Sequence, residues 1–508
     1  MRLAELIGTL SLAVDAGTGL PDHHALRGAT LAVGLARAAK ADERTVQDAF
    51  YLPLLAMAGC TAESHTSASL LGDEVLLGTE SYGLDWGAPR EMLPVMLRLV
   101  RRGHGPLGGL AAVVRAFSSM ASALEVGRAH CEVATHVAER FGFDEVFRAA
   151  LFQVFERWDG SGKPLKVKGE AIALSTRIAL VAIDANIGHR LGGVEGAVAL
   201  TRKHAKRGLD PALVERFTAA AAELCAPLDE PSPWATALAA EPEPWRVVND
   251  EEVDEGLRAV AHFSDLKCRF TRAHSTGVSA LASAAARRMG LGAELERTLA
   301  RAGLVHDVGR VATTAAIWDK TGPLTDGERE KIRLHSYVGE RVLSRAPSLA
   351  SVAELATLAH ERLDGAGYHR RLSAAACTAA ARLLAAADVY QAMREARPHR
   401  AALDADRAAL ELTAMAKRGE LCPDAVAAVL GTAGHAVRPP ERPSGLTDRE
   451  LQVLRLLIRG LTNKEIATAL DISTKTAGHH VQHVLEKLGV TTRAAATMLA
   501  MKAGIAPD

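Results

Sequence analysis

The sequence predicts an all-α protein: two helical bundles in tandem, followed by a small four-helix domain. Ala-rich segments with helical spacing of Leu, Ile and Val dominate the 508 residues, and alternating β-branched runs are scarce. That length suits about three domains. Two Pro-rich stretches mark the divisions: Pro227–Pro244, with acidic residues, and Arg438–Gly445. The expected plan is a first bundle over 1–226, a linker over 227–250, a second bundle over 251–437, a linker over 438–445 and a terminal domain over 446–508. Lys plus Arg and Asp plus Glu number 60 each, so the whole chain exerts no strong long-range pull on nucleic acid. Six cysteines without a C-x-x-C pair suggest reduced thiols and a cytoplasmic setting. Arg2 is the only early positive charge, and Glu5 and Asp15 interrupt the first apolar stretch, so no signal peptide is expected. No window reaches the length of uncharged apolar residues that a membrane span requires.

The first bundle reads as a damaged repeat of the second. His24 matches His274, Gly59 matches Gly309, and Ala56-Met57 stand where the second has His306-Asp307. Further on, His130 matches His335, and Glu156-Arg157-Trp158-Asp159-Gly160 matches Glu361-Arg362-Leu363-Asp364-Gly365. The register changes between the two blocks because the first bundle carries an insert, with Gly-rich stretches around 72–87 and 103–109. Phe155 and Ile183 fall on His360 and Asp388; a shift of one residue would bring Asp184 into play instead. Loss of the central His-Asp pair leaves this bundle suited to dimerisation, sensing or restraint of its neighbour.

The second bundle carries the chemistry. His306-Asp307 closes the apolar run Leu304-Val305 and precedes Val308-Gly309-Arg310. Adjacent imidazole and carboxylate donors are a usual start for a divalent-metal site. His274 lies upstream, and His335, His360 and Asp388 lie downstream, with His360 leading into Glu361-Arg362-Leu363-Asp364-Gly365-Ala366-Gly367-Tyr368. This order and spacing, over roughly 251–400, resemble the HD-GYP branch of the HD phosphohydrolase superfamily. The resemblance implies an all-helical fold, divalent ions (iron or manganese, one or two) and hydrolysis of a phosphoester such as cyclic di-GMP. It assigns His274, His306, Asp307 and Asp388 to a first ion, with Asp307 bridging to a second that His335 and His360 also hold. Asp307 and Arg310 are the residues it places in catalysis. Departures from the family pattern are Ala359 for the first of two consecutive histidines, Phe270 for the Glu of a third ion, Arg310 for Lys, and His369 for the Pro of Gly-Tyr-Pro. A third ion is therefore not expected.

The terminal domain opens on the capping box Thr447-Asp448-Arg449-Glu450, with Leu451, Leu454, Leu457 and Ile458 on one helix face and Gly460 as the stop. Thr462-Asn463-Lys464-Glu465 is a second capping box, Ser473 caps a third helix with Ala477, Val481, Val484, Leu485 and Leu488 as its apolar stripe, and a fourth helix begins near Thr492. The string closely resembles the LuxR-type helix-turn-helix domain, which implies DNA as a partner and the third helix in the major groove. Lys475, Gly478, His479, Gln482 and His483 face away from the stripe and are expected at base edges or nearby phosphates. Ser473 and His480 belong to the same surface. Lys464, Thr476, Lys487 and Arg493 are expected at phosphates, where they would set the register. Gly478 costs about 1 kcal/mol of helix stability relative to Ala and permits close approach to DNA.

Together these features describe a cytoplasmic transcriptional regulator, acting as a homodimer, with an HD-GYP-like centre that takes a phosphoester or cyclic dinucleotide. Two readings stay open: an active phosphodiesterase that also binds DNA, or an inactive HD sensor of nucleotide or metal whose output is DNA binding alone.

Overall fold

The computed structural model describes all residues except 119–121, 206, 437–444, 503–504 and 506–508. The described residues are helical and contain no strand. They group into two compact units that interleave along the chain: Met1–Ala273 with Asp307–Ala350, and His274–His306 with Ser351–Asp508.

The first unit is built round the helix Leu3–Thr18, which is apolar on nearly every face; Leu6, Ile7, Leu10 and Ala13 are fully buried. Helices His24–Ala38, Glu43–Leu55 and Leu174–His204 pack on one another beside it. Asp42 starts the second of these, Glu43–Leu55, by accepting a hydrogen bond from the Thr45 backbone N–H. The long helix Leu174–His204 breaks at Gly192 and Gly193, where φ is 62° at Gly193, a conformation that favours glycine. The Pro-rich stretch expected as a spacer is instead part of this unit. Pro233–Ala240 is helical, Trp234 and Ala237 are buried, Tyr51 Oη donates to Glu241 Oε1 at 2.6 Å, and Arg2 pairs with the same carboxylate. Trp234 lies so close to Gly8 that a Cβ there would be 3.0 Å from its ring.

In the second unit the helix His274–Met289 packs against Ala293–Val305, Ala379–Arg394 and Pro423–Thr432. Gly303 permits one of these contacts: a Cβ there would fall 2.7 Å from the Ser279 Cα. The terminal domain has its own core of Leu446, Val453, Leu454, Ile466, Ala477, Val481, Val484 and Ala496. Arg455 Nη2 lies 2.9 Å from Asp424 Oδ2 and joins this domain to the helix Pro423–Thr432. The second expected linker falls almost wholly outside the described residues.

Candidate metal centre and DNA-binding surface

Four of the expected ligands meet in the second unit. His274 opens the helix His274–Met289, His306 follows the last residue of Ala293–Val305, His360 lies in the loop after Ala350–Ala356, and Asp388 sits within Ala379–Arg394. Asp388 is the hub. Its Oδ1 is 3.2 Å from His274 Nε2 and 3.6 Å from His306 Nε2, and its Oδ2 is 3.2 Å from His360 Nδ1. Ligand atoms of His274, His306 and Asp388 all lie within 4.8 Å of one another, and all three residues are buried. Burial alone would raise the Asp388 carboxyl; the imidazoles of His360, His274 and His306 outweigh it and hold the group well below the usual carboxylate range.

The rings are fixed from behind. His306 Nδ1 donates to the Gly303 carbonyl at 2.8 Å, which makes Nε2 the lone-pair nitrogen. His360 stacks on Tyr368 with centroids 5.1 Å apart. His274 Nδ1 lies 3.0 Å from Glu395 Oε2, and Glu395 also accepts from Gln391 Nε2 at 2.8 Å and pairs with Arg397 at 3.1 Å. Sequence reasoning missed Glu395 and Gln391. The signal was present, since Asp388, Gln391 and Glu395 recur at positions that share a helix face. A carboxylate behind a ligating imidazole fixes its tautomer and raises its basicity.

The remaining expected residues are in the first unit. Asp307 is fully buried, with Oδ1 3.1 Å from His335 Nε2 and Oδ2 2.8 Å from Arg310 Nη1. Arg310 also lies over the Trp318 ring, 4.6 Å from its centroid, and Trp318 Nε1 donates to the Arg310 carbonyl at 3.2 Å. Gly309 is required here, because a Cβ would lie 2.0 Å from the His335 carbonyl oxygen.

Two local details of the N-terminal half are similar to those around Gly309 and Glu361. A Cβ on Gly59 would meet the His130 carbonyl oxygen at the same 2.0 Å. Glu156 Oε1 accepts from the backbone of Leu165 and Lys166, as Glu361 accepts from Arg370 and Leu372. The histidines differ in surroundings. His24 Nδ1 meets Asn186 Nδ2 at 3.0 Å, and His130 Nε2 donates to the Ala56 carbonyl at 2.9 Å while packing on Phe155. Burial pushes His24 down to about 3 and His130 to about 4, so both are neutral. Asp184 does not rejoin this set: its carboxylate is 2.6 Å from His204 Nδ1. The one-residue shift fails because a helix turns successive side chains to different faces.

The terminal domain consists of helices Asp448–Ile458, Asn463–Ala469, Thr474–Lys487 and Arg493–Lys502, begun as expected by Thr447, Thr462 and Ser473. Lys464, Lys475, Thr476, His479, Gln482 and His483 are exposed, and His480 is half-buried. Ser473 Oγ accepts from the Thr476 backbone N–H and shares a 2.7 Å hydrogen bond with the Thr476 hydroxyl. Two expected phosphate contacts are engaged within the domain. Lys487 Nζ donates to Glu450 Oε2 at 2.6 Å and to the Gly445 carbonyl, and Arg493 donates to the Leu461 carbonyl and to Asn463 Oδ1. Both brace the domain.

Residues 258–423 match the HD domain model, and residues 444–500 match the model of bacterial regulatory proteins of the luxR family. The chain carries an HD domain and a LuxR-type regulatory domain. Over 421 residues, 80% of this chain and 89% of the relative, it is 26% identical to the 3'3'-cGAMP-specific phosphodiesterase 3 of Vibrio cholerae. Its LuxR-type domain is 52% identical over 56 residues to the nitrate/nitrite response regulator protein NarP of Escherichia coli, 11% of this chain and 26% of that one. A crystal structure of a cyclic GMP-AMP specific phosphodiesterase of V. cholerae shares the fold, with a TM-score of 0.58 and 23% identity over 86% of this chain and 99% of that one. The HD domain with its His/Asp groups and the LuxR-type domain with its exposed third helix give one polypeptide the parts of a metal-dependent phosphohydrolase and of a DNA-binding regulator.

The exposed ammonium of Lys464, at the start of the second LuxR-type helix, should contact phosphate. Lys464→Ala is expected to weaken binding to all duplexes alike and to reduce the slope of log affinity against log salt by about 0.9. Gln482→Ala should instead change preference among sequences. A salt titration with labelled duplexes checks both; an unchanged slope in Lys464→Ala removes that residue from the phosphate contacts.

Proposed function

We propose that this protein is a metal-dependent cyclic-dinucleotide phosphodiesterase whose HD region controls a LuxR-type DNA-binding output. The observation that carries the reading is the buried His274, His306 and Asp388 group within the matched HD domain. Its donors fit a divalent ion: two imidazole nitrogens and a carboxylate suit iron, manganese or zinc. A second ion would take Asp307 and His335, with His360 assigned to it by family resemblance. Ala359 removes one imidazole from that set, so the second ion should bind more weakly than the first.

When bound, such ions lower the pKa of a coordinated water and neutralise charge on phosphoryl oxygens. The chain's own residues do the rest. Asp388 and Asp307 supply buried negative charge, Glu395 and the Gly303 carbonyl hold His274 and His306 in the ligating tautomer, and Arg310 supplies a fixed positive charge beside Asp307 for a phosphate oxygen.

The relatives support the substrate class: two of them are 3'3'-cGAMP-specific phosphodiesterases by name. We read residues 1–226 as a degenerate second HD copy, supported by the matched glycine and glutamate details and by the loss of the central His-Asp pair. The protein would act as a cytoplasmic homodimer that presents two third helices to paired half-sites. Incubating the manganese-loaded full chain with 3'3'-cGAMP and with cyclic di-GMP tests the reading. Conversion of either to a linear dinucleotide is expected; a metal-replete protein that leaves both intact is a sensor.

A further inference from the structure

The helix Thr474–Lys487 carries the string His479-His480-Val481-Gln482-His483. His479 and His483 are four residues apart and both exposed, whereas His480 is half-buried on another side. Side chains four apart on a helix have Cβ atoms about 5–6 Å apart, a span that one metal ion ties with two imidazole nitrogens. Their polar neighbours do not compete for the pair, since Gln482 Nε2 donates to Glu486 Oε1 at 2.9 Å. A second observation concerns the orientation of the ring. His483 Nδ1 is the nitrogen turned toward the Glu450 carboxylate, 3.9 Å away, and the Glu450 side chain is only 6% exposed. With Nδ1 on the side of this inward carboxylate, Nε2 is the nitrogen on the opposite, outer side of the ring.

We propose that His479 and His483 form a surface site for a borderline divalent ion of the zinc, nickel or copper class, and that its occupation competes with DNA. Imidazole donors select these ions, whereas manganese favours oxygen-rich sites. The hydrated ion would sit on the face that the helix presents to the major groove and would occupy both imidazoles that reach base edges. The competition rests on this helix being the DNA-reading one; the metal site itself does not.

Calorimetric titration of the metal-free full chain with Zn²⁺ tests the site. One zinc should persist in the His306→Ala/Asp307→Ala variant and disappear in His479→Gln/His483→Gln, whose exposed substitutions leave the helical core untouched. Anisotropy of a labelled random-sequence duplex, with each variant compared with its own zinc-free affinity, tests the competition. At free zinc ten times its Kd the wild type should lose affinity about elevenfold, and the double Gln variant should not respond. Unchanged zinc stoichiometry in the double Gln variant overturns the site. Loss of that zinc with no effect of zinc on wild-type DNA affinity overturns the competition alone.

Discussion

Replacing His306 and Asp307 together by alanine is expected to strip most bound divalent metal and to abolish hydrolysis, while replacing His24 and His130 leaves both intact. His306 Nε2 faces the carboxylate shared with His274 and His360, and Asp307 is fully buried between His335 and Arg310. Both changes remove donors that no neighbouring side chain can replace. The rate should fall by more than the roughly 10²–10³-fold that follows loss of a single electrostatic stabiliser. His24 and His130, by contrast, bond to Asn186 and to the Ala56 carbonyl. Elemental analysis of the purified variants checks the contrast; metal content in the His306/Asp307 variant equal to that of the wild type excludes the site.

Glu395→Gln is expected to weaken metal binding by about 10–100-fold, the usual effect of removing a carboxylate behind a ligating histidine. The amide keeps the shape of the side chain but not its charge, and leaves one oxygen to accept from His274, Gln391 and Arg397. Glu395→Asp should recover part of the affinity, which a purely structural role would not predict, because the shorter chain opens a gap in packing that the isosteric Gln does not. Manganese titration of the three proteins decides the matter, and equal affinities would mean that Glu395 only anchors Arg397 and Gln391.

Much of this was legible in the sequence. The order of His274, His306, His360 and Asp388 anticipated a group that the fold brings together, and the Thr-x-x-Glu boxes at Thr447 and Thr462 start helices where expected. A capping box is local chemistry, so spacing reveals it. What spacing hides is the reach of a side chain across the fold. Glu395 meets a histidine 121 positions away, and Lys487 and Arg493 turn back onto carbonyl and carboxylate partners of their own domain. The prolines of 227–244 suggested a spacer, yet Trp234 among them is buried in the first unit and fixes the stretch there. An aromatic anchor outweighs proline content because burying it removes a large apolar area from water.

The most direct measurement follows oxygen. Manganese-loaded protein is mixed with 3'3'-cGAMP in water enriched in heavy oxygen, and the products are weighed by mass spectrometry. The account predicts a linear dinucleotide with one heavy oxygen on its new terminal phosphate, formed by the wild type and not by the His306→Ala/Asp307→Ala variant. Recovery of the unlabelled cyclic substrate from metal-replete wild type, or equal labelled product from the variant, would contradict it.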